Sequence, residues 1–309
     1  MSERALPVWH RLWIYQAERF PLQRNALLIA VFSASGVILS SILGGRGLPR
    51  PAAFACAFLI TLGLFFQLRA ADEVKDAEDD RRYRPERPVP RGLLSLRLLV
   101  GLAAAVAIAQ AVIAYAFAPK LLILLFVVWG WMALMAVEFF VPTFLRKRPL
   151  LYLASHMLVM PLIDLWITAV DWLPRAGTPP AGLAPALFLS LANGCVLEIG
   201  RKTWAPECER EGVETYSALW GLGRAVRSWL GAVAFAAVLL CITGTLAGAA
   251  WGVLAVASLA ATFAVSQALA FRAVPNARTQ GRLDMTAGLW VLVSYATLGI
   301  LPLVARVLP

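Results

Sequence analysis

One stretch of this 309-residue chain places carboxylates and bases at spacings that could bind a metal and a phosphate. Seven of the 18 acidic residues lie within 72–86, among Arg69, Lys75, Arg87 and Arg91. A helix running through this stretch would set Asp72, Asp76 and Asp80 along one face, at i, i+4 and i+8. Like charges at that spacing repel, so a bound cation would repay them. Oxygen ligands without His or Cys suit Mg²⁺, which keeps several waters and bridges carboxylates to phosphates. The neighbouring bases could then contact a diphosphate. A plainer reading stands beside this one: a solvated charged loop that satisfies its own ion pairs.

The elements that carry these residues follow from composition. Sixty per cent of the chain is hydrophobic and 15% charged, with a mean hydropathy of +0.73. A soluble fold lacks the polar surface to cover that much apolar side chain. The expectation is an all-α integral membrane protein, one domain over residues 1–309. Runs of about 20 apolar residues place nine transmembrane helices near 25–44, 52–74, 97–117, 120–142, 150–173, 183–202, 225–246, 250–271 and 284–306. Residues 1–24 lack the apolar core and cleavage site of a signal peptide and read as an interfacial lead-in.

The net charge of +10 is explained by topology. Alternating loops carry 22 basic residues on one side and 5 on the other, with Arg69 inside the second span. The positive-inside rule then puts the amino terminus in the cytoplasm and the carboxyl terminus outside. Both acid-rich segments, 72–86 and 198–214, fall on the cytoplasmic side. No nucleic-acid partner is implied; the bilayer is the expected partner, in a multi-pass cell-membrane protein. Cys56, Cys195, Cys208 and Cys241 form no CxxC pair and read as small apolar residues.

The first segment resembles the Asn-Asp-x-x-Asp-x-x-x-Asp motif of the UbiA superfamily of intramembrane prenyltransferases, followed by Arg-Pro-x-Pro-x-Gly. Aligned on Arg87-Pro88-Val89-Pro90-Arg91-Gly92, the motif falls on Asp72, Glu73, Asp76 and Asp80. The second segment ends in Gly212-Val-Glu-Thr215, similar to the family's Gly-x-x-Thr. Its expected aspartates are absent. The resemblance makes Glu198, Glu207 and Glu209 their candidate replacements as metal ligands, and Arg201 and Lys202 the phosphate-binding bases.

The resemblance implies a helical bundle around a cytoplasm-facing cavity, an Mg²⁺ cofactor and a prenyl diphosphate substrate. Asp72, Asp76 and Lys202 would then serve ionisation, and the prenyl group would pass to an aromatic or other lipophilic acceptor. A UbiA-type terpene cyclase, which folds the cation onto its own double bonds without an acceptor, is the alternative. A transporter or non-catalytic membrane protein is a third class, disfavoured because the charge clusters at one membrane face. Polar groups inside spans tend to face the bundle interior. Asp164 is therefore expected to line the pocket, Asp171 to be solvated at the outer end, and His156 to be a hydrogen-bonded helix residue.

Overall fold

The computed structural model describes residues 6–307 and is helical throughout. Arg4, counted in the basic asymmetry, lies outside the described residues. A short helix, α1 (Val8–Arg19), precedes α2 (Leu22–Leu43) and α3 (Pro51–Lys75). After α3 come α4 (Ala77–Tyr83), α5 (Leu96–Phe117), α6 (Leu121–Ala136), α7 (Pro142–Arg146), α8 (Pro149–Met157) and α9 (Val159–Arg175). The second half holds α10 (Leu183–Arg201), α11 (Tyr216–Trp220), α12 (Leu222–Leu246), α13 (Ala250–Ala273) and α14 (Ala277–Val307).

Among the described residues eight helical segments are long and apolar enough to cross a bilayer, α8 and α9 counting as one. The chain is a multi-pass integral membrane protein. The ninth run, expected over 120–142, is shorter: α6 has 16 residues, about 24 Å at 1.5 Å per residue. It stops because Glu138, Phe139 and Phe140 adopt left-handed backbone angles, with φ of 46°, 54° and 60°. For non-glycine residues that conformation costs about 1–2 kcal/mol each.

Lipid gives no hydrophobic drive for helices to associate, so close packing and polar cross-links hold the bundle together. Helix α2 sits at its centre, packed against α3, α9 and α14. A Cβ on Gly36 would fall 2.7 Å from Ile167 of α9, and one on Gly299 of α14 would fall 2.5 Å from the Ser35 hydroxyl. Only glycine lets three helices meet there. Buried donors tie neighbouring helices: Gln110 Nε2 to the Ile60 carbonyl at 2.8 Å, Trp166 Nε1 to Leu121 at 3.2 Å, Trp229 Nε1 to Val196 at 3.0 Å.

At the end of the bundle where α2 and α9 finish, Asp171 is buried, contrary to the expectation that it is solvated. It accepts from Ser40 Oγ at 2.8 Å, Arg46 Nη2 at 2.6 Å and Arg175 Nη1 at 2.7 Å. This knot locks the α2–α3 loop onto α9. A carboxylate can be buried there because two guanidiniums and a hydroxyl replace its water.

Candidate functional site

The two acid-rich segments meet at the opposite end of the bundle, where α3 and α10 terminate. Helix α3 breaks at Asp76, and α4 resumes one residue later. Backbone bonds bridge the break, from Asp76 N to Asp72 O (2.9 Å) and from Asp80 N to Asp76 O (2.8 Å). The three aspartates nevertheless have different surroundings. Asp72 is 53% exposed, Asp76 is half-buried, and Asp80 is buried. Asp80 receives Arg84 at 3.0 Å and Arg87 at 2.7 Å. Arg91 forks onto Glu18 of α1 at 2.7 and 2.8 Å and reaches the Glu86 carbonyl at 2.7 Å. Glu73 is buried against α1, paired with Arg19 at 2.5 Å.

Helix α1 is therefore more than a lead-in, because Glu18 and Arg19 anchor the first segment. The Glu18 carboxyl is held below its usual range by the hydrogen bonds from Arg91. Asp76 goes the other way: burial, and then the neighbouring Asp72 charge, push its carboxyl above the usual range. Arg69 lies 3.3 Å from Asp72. Lys75 turns away from the aspartates, to Glu138 Oε1 at 3.0 Å and the Tyr152 hydroxyl at 2.5 Å. The left-handed turn after α6 is what delivers Glu138 to Lys75.

In the second segment, Glu198 sits between Arg201 at 2.6 Å and Lys202 at 2.9 Å. Glu209 accepts from Thr215 Oγ1 at 2.8 Å and Ser217 Oγ at 2.7 Å. Glu207 accepts from the Ala277 amide at 2.7 Å, capping α14. Both of these glutamates fasten the loop. Thr215 caps α11 through the Ala218 amide at 3.1 Å.

Gly212, with φ of +73°, presses against the Tyr83 ring of α4, where any Cβ would collide. The glycine of the second segment is thus a point at which it touches the first, and Arg210 reaches Glu86 at 3.6 Å beside it. Asp72 lies in the fields of both Arg201 and Glu198. Asp72, Asp76, Arg69, Arg201, Lys202 and Glu198 are accordingly gathered at one bundle end. Asp164 stands apart in the bundle interior, buried beside Ser35, Gly36 and Tyr295 at a void of about 10 Å³. Among the described residues no three His, Cys, Asp or Glu side chains cluster as a ready-made metal cage.

Neither a protein-family model nor a curated protein matches the sequence. Solved structures do. One is of a digeranylgeranylglyceryl phosphate synthase in membranes, with TM-score 0.62 and 16% identity over 94% of this chain and 99% of that one. Another is the apo structure of a UbiA homolog from Aeropyrum pernix K1, with TM-score 0.60 and 17% identity over 85% of this chain and 94% of that one. The chain has the UbiA fold. On this UbiA-type bundle the two acid-rich segments lie where α3 and α10 end, and Gly212 and Tyr83 join them. At such identities the likeness concerns the path of the chain, and the chemistry rests on the side chains described above.

Proposed function

We propose that the protein is an intramembrane prenyltransferase that ionises a prenyl diphosphate and passes the prenyl group to a lipophilic acceptor. The observation that carries this reading is the meeting of the Asp72–Asp76 pair with Arg201 and Lys202 at one bundle end. The donor set fits Mg²⁺. Asp76 is half-buried beside the Asp72 charge, and two carboxylates plus waters and phosphate oxygens satisfy this ion. Asp72 and Asp76 would hold Mg²⁺, which when bound neutralises charge building on a departing diphosphate.

The chain's own bases do the rest. Arg201 and Lys202 project from the α10 end with side chains 55% and 37% exposed, and would bind phosphate oxygens while sharing or leaving Glu198. Arg69 sits across from them beside Asp72. Fixed cations opposite a leaving group stabilise charge as it develops. The apolar bundle below excludes the water that would quench an allylic cation. Glu73, Asp80, Glu207, Glu209, Arg87 and Arg91 act by holding the two segments in place. Lys75 is available to a diphosphate only if it leaves Glu138. We place the amino terminus and both segments on the cytoplasmic side, from the basic asymmetry of the loops.

The test is incubation of the purified protein with Mg²⁺ and C10, C15 and C20 prenyl diphosphates, with and without aromatic acceptors. Prenylated acceptor is the expected product. Cyclised hydrocarbon formed without acceptor would make the protein a terpene cyclase, and no diphosphate release at all would remove the enzyme reading. Reporter fusions at the two ends should report opposite compartments.

A further inference from the structure

Behind Lys75 lies a histidine that the diphosphate chemistry does not use. The His156 ring stacks on Tyr152 with centroids 4.0 Å apart and meets Phe139 edge-on at 5.9 Å. Its Nδ1 lies 2.9 Å from the Tyr152 carbonyl oxygen and 3.3 Å from Ser155 Oγ. A carbonyl can only accept, so Nδ1 carries the ring proton. In the neutral ring Nε2 then holds a lone pair, and it is buried with no hydrogen-bond partner. The residue as a whole is only 9% exposed.

The ring stands among charged groups from three elements. Tyr152 links the ring to Lys75, the residue preceding Asp76. The charged groups that act on the imidazole are Lys75 from α3, Glu138 from the left-handed turn and Glu198 from α10. Glu138 Oε2 is itself buried and unpartnered. Glu138 and Glu198 would favour an imidazolium, while Lys75 opposes it and keeps the resting ring neutral. The carboxylates at the α3 and α10 ends are otherwise engaged: Glu73, Asp80 and Glu198 in ion pairs, Asp72 and Asp76 in the proposed cation site.

We propose that His156 Nε2 is the base that removes the proton after the prenyl cation has formed its new bond, an inference that rests on the prenyltransferase reading. The C1–O bond breaks and its electron pair leaves with the diphosphate. A π bond of the acceptor attacks C1, leaving positive charge on the adjacent carbon. The proton next to that carbon passes to Nε2, and its bonding electrons restore the double bond. In the cyclase outcome the same transfer ends the reaction from the cyclised cation. The departed diphosphate or water then takes the proton from the imidazolium.

The decisive variant is His156→Asn, whose side-chain amide keeps the donor to the Tyr152 carbonyl while deleting Nε2. With Mg²⁺, C10, C15 and C20 prenyl diphosphates and a phenolic acceptor, diphosphate release and organic products are measured together. The ratio of deprotonated product to diphosphate released should fall by about 100-fold, with prenyl alcohol from water capture in its place. A wild-type ratio in the variant overturns the assignment, as does wild-type protein that yields prenyl alcohol alone. No diphosphate release from wild type would instead sink the prenyltransferase reading beneath it. If His156→Asn does not fold, His156→Gln takes its place. Nitrogen NMR of the histidine-labelled wild-type protein gives a readout independent of turnover: Nδ1 protonated and Nε2 bare is expected, and the reverse tautomer overturns the proposal.

Discussion

The two ends of the bundle each gather acids and arginines, and they treat them in opposite ways. At one end a single carboxylate, Asp171, is sealed by Ser40, Arg46 and Arg175. At the other, Asp72 and Asp76 stand at a helix break, one exposed and one half-buried, with Arg201 and Lys202 facing solvent. A sealed cluster stabilises the fold, because its charges are already neutralised and desolvated. An open cluster costs stability, since like charges are held together with too few partners. That cost makes sense where a ligand supplies the missing counter-charge.

The two ends should differ most at Asp76. Asp76→Ala should lose turnover by on the order of 10²–10³-fold with the melting temperature unchanged or raised, measured as diphosphate release alongside melting in detergent. Near-normal turnover in a folded variant would sink the cation site. Asp171→Asn should do the reverse. Removing one partner of a buried charge cluster costs about 3–5 kcal/mol, so the melting temperature should drop sharply, while turnover per folded molecule is retained.

A smaller effect is expected at Lys202. Lys202→Gln should raise the prenyl diphosphate concentration needed for half-maximal turnover and slow ionisation. Lys147→Gln, which removes one charge from a neighbouring loop, should do little. Equal effects would reduce Lys202 to a topological charge. The smallest effect belongs to Glu18, which is 40% exposed, so its forked pair with Arg91 is worth at most about 1 kcal/mol. Because its carboxyl is held below the usual range, its contribution is present above the unfolded-state value and fades as pH falls through the lower folded one. Glu18→Gln should flatten that acid limb of the melting profile.

Much of the architecture can be read from the chain. Eight runs of hydropathy correspond to helices long and apolar enough to span, and the acid-rich stretch falls at the end of one of them, although the helix expected to run through Asp80 breaks at Asp76. The rest depends on partners far apart in sequence. Nothing local pairs Arg46 with Asp171, 125 residues away, or Arg19 with Glu73, 54 residues away. The end of α6 was hidden because the apolar run continues past Ala136, and a hydropathy window cannot register a left-handed turn. Glu138, a lone acid inside that run, was the available signal. Glu207 and Glu209 read as ligands by type, yet their oxygens accept from an amide and from hydroxyls that lie on the second segment's own loop and at the start of α14.

The most direct test of whether the α3 and α10 ends form one diphosphate site is a double-mutant cycle on binding of inorganic diphosphate with Mg²⁺, using Asp72→Asn, Arg201→Gln and the pair. Groups that share one bound ligand should couple by about 0.5–3 kcal/mol, so the double variant should depart from the sum of the single losses by that much. Losses that simply add would contradict a shared site and leave the two segments as independent charged ends.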